Sequence, residues 1–115
     1  MTTPQWPDAG RPVPLADQAS PEFYRELINT GETRLVHMTM APGAADAPHR
    51  HPEEIVYFLS AGRLRIALES GDVVERDVVA GDVMHNEAWA HQVTNVGATP
   101  VEAIIFERLD RDDLA

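Results

Sequence analysis

The segment His49-Arg50-His51 carries the clearest chemistry of this chain. In an extended strand, residues two apart project from one face, so both imidazoles can reach one ion. Each would coordinate through a neutral ring nitrogen at roughly 2.0–2.1 Å. Glu53 and Glu54 follow directly after Pro52. A carboxylate beside two imidazoles makes a facial triad suited to iron(II), manganese or nickel, with positions left open for substrate. A third imidazole, His91, lies in Trp89-Ala90-His91-Gln92-Val93-Thr94-Asn95, where His91, Val93 and Asn95 share a face. Plainer readings exist for each residue. The pair can be two surface histidines at a loop–strand junction, the glutamates a solvated acidic turn, and His91 a structural core histidine.

Other residues extend the list of candidates. His85 either faces the interior as an extra ligand, proton shuttle or substrate contact, or points outward. Glu54, His85 and Tyr57 are the candidates for a catalytic role. His37 alternates with Val36 and Met38 and is expected to point outward. Met38 and Met40 share a face and are expected in the core, with a soft pocket lining as the other reading. Trp89, placed in the loop before His91, either roofs a pocket mouth or packs on the N-terminal arm or a second subunit. Arg63 and Arg65 alternate to one face and are the obvious cationic pair for an anionic substrate.

Composition removes several other chemistries. The 115 residues suit one domain with one core, and 43% hydrophobic with 24% charged residues is a globular balance. Without cysteine there is no disulfide framework, thiolate ligand or cysteine nucleophile. All 9 basic residues are arginine, which excludes a lysine Schiff base and the lysine of a phosphate-binding P-loop. Against 19 acidic residues they leave a net charge of −10, which repels phosphate backbones and anionic membranes. Neither nucleic acid nor a membrane is therefore expected as a partner. The first residues carry no cationic start and no apolar stretch of signal-peptide length, which points to a cytoplasmic protein.

The elements that must hold these side chains read as short strands. Residues 1–21 carry Pro4, Pro7, Pro12, Pro14 and Pro21 and are expected to form an extended arm, with Trp6 as its docking ring. Ser20-Pro21-Glu22 has the local form of a helix start, yet residues 23–28 are assigned to a strand that turns at Asn29-Thr30-Gly31. Further strands are expected over 34–41, 55–59, 63–68, 73–79, 83–86, 91–96 and 101–107, divided by Pro42-Gly43, Gly62, Gly71, Gly81 and Gly97. About eight strands in so short a chain imply an all-β, single-domain closed barrel or jelly roll, because both dispose of sheet edges. Residues 110–115 form an acidic, solvated tail.

The order of these residues resembles the cupin superfamily. The first cupin motif runs glycine, five residues, His-x-His, three or four residues, glutamate, six residues, glycine. This chain has Gly43, five residues, His49-x-His51, then Glu54 and Gly62. The second motif opens on glycine and closes on histidine, three residues, asparagine, as do Gly81, His91 and Asn95. Two departures stand out. Only Pro52 and Glu53 separate His51 from Glu54, and Glu87-Ala88-Trp89 replaces the usual proline-x-glycine. The resemblance implies a cupin-type double-stranded β-helix over residues 22–109. It implies one divalent transition metal ion per subunit (Fe, Mn, Ni, Zn or Cu), with His49, His51, His91 and Glu54 as ligands. The short spacing leaves open whether Glu54 reaches the ion or the site has three histidines only. The implied chemistry is that of a dioxygenase, isomerase, lyase or cyclase acting on a small organic molecule, with a non-catalytic ligand-binding or sensor protein as the alternative. A homodimer is expected, since barrels of this size leave edges and apolar rims for the arm and a second copy to cover.

Overall fold

A computed structural model of the chain describes residues 4–8 and 10–110, so the acidic tail beyond Asp110 lies outside the described residues. One helical turn, α1 (Ala16–Ala19), precedes nine strands. These are β1 (Tyr24–Asn29), β2 (Thr33–Met40), β3 (His49–His51), β4 (Glu54–Phe58), β5 (Gly62–Leu68), β6 (Val73–Val78), β7 (Val83–Asn86), β8 (Trp89–Asn95) and β9 (Val101–Arg108). They form a five-stranded sheet, β1-β2-β9-β4-β7, and a four-stranded sheet, β3-β8-β5-β6. The named pairings are all antiparallel. The architecture is the all-β double-stranded β-helix.

Period-two alternation decides what each strand turns inward. In β2 the inward set is Arg34, Val36, Met38 and Met40, and in β9 it is Val101, Ala103, Ile105 and Glu107. In β4 it is Glu54, Val56 and Phe58. Register stacks these sets in rows across the five-stranded sheet. Val36, Ile105, Val56 and Met84 form one row, and Met38, Ala103 and Phe58 the next. Leu64, Val78 and Val93 meet these rows from the other sheet, closing the core. The row at the opposite end is polar: Arg34, Glu107, Glu54 and Asn86. The barrel is thus apolar along most of its length and charged at one end.

Three expectations change. The ninth strand is β3, which has three residues and no apolar alternation to announce it; it pairs with β8. Trp89 opens β8 rather than sitting in a loop, because Glu87 and Ala88 suffice for the turn. The proline-rich arm is not wholly extended. Its helical turn ends at Ser20, and the Ser20 hydroxyl accepts the Ala47 N–H at 2.9 Å instead of starting a helix. The arm lies over its own chain. Arg50 N–H donates to Pro14 O at 2.8 Å, Arg50 Nε donates to Val13 O at 3.0 Å, and Leu15 and Ala16 are buried. Trp6 lines a surface cavity together with Leu68 and Val73 of β5 and β6.

Two glycines show why the motif positions need them. Gly43 takes φ +82°, a backbone state costly for side chains, and its N–H reaches Asn95 O at 2.8 Å. At Gly62 the constraint is space, since an added Cβ would lie 2.3 Å from Cγ2 of the fully buried Val101. Gly62→Ala should therefore cost about 1–3 kcal/mol of stability by overpacking. Combining it with Val101→Ala should recover part of that loss in urea melts. Equal stability of Gly62→Ala and the parent would show that β5 and β9 are not so closely apposed.

Candidate metal centre

The three histidines converge. His49 and His51 point inward from β3, and His91 is the register partner of His49 on β8. One ring nitrogen of each lies within 4.8 Å of the others, and all three side chains are buried. Ring centroids are 4.8 Å apart for His49 and His51, 4.7 Å for His49 and His91, and 5.1 Å for His51 and His91.

Their hydrogen bonds leave nitrogens unused. His49 Nδ1 lies 2.8 Å from Ala47 O, to which it donates, and so leaves Nε2 with the lone pair. That Nε2 and His91 Nδ1 are buried without a partner among the described residues. Orphaned buried nitrogens are costly unless something binds them. His51 Nδ1 is 2.5 Å from Glu107 Oε2, an orientation that turns its Nε2 to a ligand or ion. These donors fit a divalent transition metal.

Glu54 belongs to a different group. It lies on the facing sheet, within 4.8 Å of His51 and Glu107. Its Oε2 accepts Asn86 Nδ2 at 3.0 Å and Trp89 Nε1 at 2.7 Å, and its Oε1 is 3.4 Å from His51 Nδ1. Trp89 also sets its ring edge on His91, with centroids 4.2 Å apart. Trp89 and Glu54 line a cavity of about 40 Å³ with His51, His91, Met38 and Met84.

The other candidates lie elsewhere. Tyr57 is on the outer face of β4 and half exposed. His85 is exposed and 2.8 Å from Glu53 Oε2, outside the barrel. Arg63 and Arg65 also face outward, where both bind Glu75. His37 pairs with Glu102 on the outer face, as its alternation predicts.

Four polar residues of the site escape a reading based on motifs. Glu107 is completely buried and holds both His51 and Arg34. Arg34 in turn meets Asp17 of α1 at 3.0 Å and Glu26 of β1 at 3.3 Å. Beneath His49, Tyr24 Oη donates to Asp46 Oδ2 at 2.5 Å, and Val93 N–H donates to Asp46 Oδ1 at 2.8 Å. The alternation of β2 and β9 does mark Arg34 and Glu107 as inward, although their contacts are long-range.

Burial sets the protonation of these groups. It pushes His49 down to about 3, with the nearby His51 charge acting the same way. His91 is held well below the usual histidine range by burial, then by His51 and His49. For His51 burial also acts against the charge, but Glu54 and Glu107 outweigh it and its pKa is raised. Burial pushes Asp46 up to about 7 against the opposing Tyr24 and Val93 hydrogen bonds.

These shifts give the metal-free protein a defined acid sensitivity. Below pH 6.5 the unfolded chain protonates the two lowered histidines, and the fold does not, so each removes stability as pH falls. Asp46, raised in the fold, takes up its proton early and offsets one of them. Below about pH 5.5 His51, raised as well, is protonated in both states and adds no slope. One net proton then remains, so stability should fall by about 1.4 kcal/mol per pH unit between about pH 5.5 and 4.5. Urea melts across that range measure it. Asp46→Asn should steepen the slope; a flat profile would show that His49 and His91 are not buried as neutral bases.

The wider comparisons agree with this architecture. The cupin-domain family model Cupin_2 matches residues 36–107. No curated protein matches the chain significantly. A cupin-domain protein of Bordetella pertussis Tohama I is similar at 20% identity, covering 88% of this chain and 100% of its own, with a TM-score of 0.69. An oxalate decarboxylase of B. subtilis is similar at 23% identity over 74% of this chain and 24% of its own, TM-score 0.58. A DMSP lyase of Ruegeria pomeroyi DSS-3 shares 24% identity over 77% of this chain and 47% of its own, also at 0.58. With more than half its length matched by the family model and its two sheets wound as a double-stranded β-helix, the chain belongs to the Cupin_2 family of cupin-domain proteins.

Proposed function

We propose that this chain is a metal-dependent enzyme acting on a small organic substrate, with His49, His51 and His91 as ligands of one divalent transition metal ion. The observation that carries this reading is the convergence of three buried imidazoles, two of them held neutral with an orphaned nitrogen, beside a cavity. When bound, such an ion supplies Lewis acidity and open positions for substrate or dioxygen, the chemistry of dioxygenases, isomerases, lyases and cyclases.

The protein's own groups supply orientation and proton handling. Glu107 fixes the His51 ring through Nδ1. Asn86 and Trp89 tie Glu54 Oε2, leaving Oε1 as the oxygen that can accept a proton from a substrate. Trp89 walls the cavity and limits water at the histidines.

Charge balance supports the same reading. Arg34 and His51, whose pKa the two carboxylates raise, offset Glu54 and Glu107, and burial pushes Asp46 up to about 7. An ion at the histidines would replace the His51 proton and favour loss of the Asp46 proton.

Among the described residues no helix is long and apolar enough to cross a membrane. We extend the proposal to a homodimer packed through the outer face of the five-stranded sheet, where Ile55 sits beside Phe106 and Tyr57 beside Val83. All four are more than two-fifths exposed, an apolar face of the kind that marks an interface. Sedimentation at micromolar concentration should return twice the chain mass; a monomer refutes it.

Metal analysis tests the centre. His91→Ala should weaken metal binding by more than about 100-fold, beyond the roughly 10–100-fold of an outer-shell change, which is the loss expected of Glu107→Gln. Glu54→Gln should leave metal content nearly unchanged, because Glu54 groups with Glu107 rather than with the three histidines. Full occupancy in His91→Ala would overturn the assignment, and loss of metal in Glu54→Gln would make Glu54 a ligand.

A further inference from the structure

Away from the polar row of the barrel, the wall of the histidine cavity is hydrocarbon and thioether. Val56, Met84 and Ile105 come from one apolar row, Met38 and Phe58 from the next, and Ile66 from the facing sheet. The side-chain donors Tyr24, Asn86 and Trp89 that border it are engaged. Tyr24 Oη donates to Asp46, and Asn86 Nδ2 and Trp89 Nε1 donate to Glu54. A buried water needs roughly two to four polar partners, and this apolar wall offers none.

Its size and its opening fit a very small molecule. The space is about 40 Å³. That is a little more than the roughly 30 Å³ that one water takes up in the liquid, and it admits one molecule of about two heavy atoms. The exposed Arg76 of β6 and the half-buried Met84 of β7 both border the cavity. These strands are edges of different sheets, so no backbone ladder joins them. Val74 shares the inward face of β6 with the buried Val78, yet stays exposed beside that seam. The seam is the way in for a diatomic gas.

We propose that this cavity is a dry site for an apolar diatomic gas, and that it holds dioxygen next to His51 and His91. The fit of the gas follows from the lining and size of the cavity. Dioxygen as the occupant rests on the metal-centre reading, since a redox-active ion at the histidines has open positions for it. A two-atom ligand makes few contacts, so binding is millimolar or weaker. The cavity thus raises the local concentration of the gas beside the histidines rather than trapping a molecule there.

Nuclear magnetic resonance of the methionine methyl groups in the full chain, under pressures of dioxygen, dinitrogen and xenon, tests this. Met38 borders the cavity, whereas Met40, on the same face of β2, is fully buried and does not line it. Paramagnetic dioxygen should speed relaxation of the Met38 methyl several-fold more than that of Met40, with dinitrogen as the baseline. Xenon, which enters dry apolar cavities, should shift Met38 and not Met40. Ile66→Phe fills the space and should abolish both effects at Met38, and Val56→Leu, a smaller fill, should reduce them. Equal relaxation of the two methyls, no xenon shift at Met38, unchanged effects in Ile66→Phe, or cross-relaxation of the Met38 methyl with a long-lived water would each overturn the proposal. Zinc, a diamagnetic ion, is titrated into the same samples to separate this proposal from the metal centre. Gas effects at Met38 in a chain that takes up no zinc would uphold the cavity and sink the metal centre. Zinc binding without gas effects would sink the gas site alone.

Discussion

A buried ionic chain, Arg34 to Glu107 to His51, is the constraint on which the rest of the molecule depends. Glu107 is fully buried, and a lone carboxylate there would cost several kcal/mol in lost hydration. Arg34 Nε on one oxygen and His51 Nδ1 on the other make that burial tolerable. The three residues come from β2, β9 and β3, so the chain crosses from the five-stranded sheet to the four-stranded one. A single interaction thereby closes the polar end of the barrel and orients a candidate ligand.

The arm is part of the same arrangement. Asp17 of α1 adds a second carboxylate to Arg34, and the backbone next to Leu15 pairs with Arg50 of β3. Without that cover β3 would be a bare edge of three residues, too short to hold its histidines by its own ladder. Covering the edge and fixing the histidines are consequently one task. The apolar rows of Val36, Ile105 and Val56 beneath do the remaining work of stability, and they leave one end of the barrel free to be polar.

What was legible in the sequence followed from local periodicity. Alternation placed His49 with His51, and the spacing to Asn95 singled out His91 as the partner. Turn residues located most strands, because glycine and proline act locally on the backbone. What was not legible depended on contacts between distant segments. Arg34 and Glu107 are 73 residues apart, and Tyr24 and Asp46 are 22 apart, so no window of sequence joins them. Arg63 and Arg65 showed their shared face but not which face it was, and their carboxylate partners lay on the neighbouring strand. Tyr57 likewise looked available for chemistry until the register of β4 against β9 sent it outward beside Ile104.

The short spacing between His51 and Glu54 has a structural meaning beyond a departure from the family pattern. Pro52 and Glu53 are all that joins β3 to β4, and these two strands belong to different sheets. So tight a crossing carries Glu54 directly onto the facing sheet, where its register partners are Glu107 and Asn86. The imidazoles then stand on one sheet and the carboxylates on the other, with His51 the histidine that touches both sets. The two-residue crossing therefore fixes Glu54 beside Glu107 and Asn86 on one sheet, opposite the three histidines on the other.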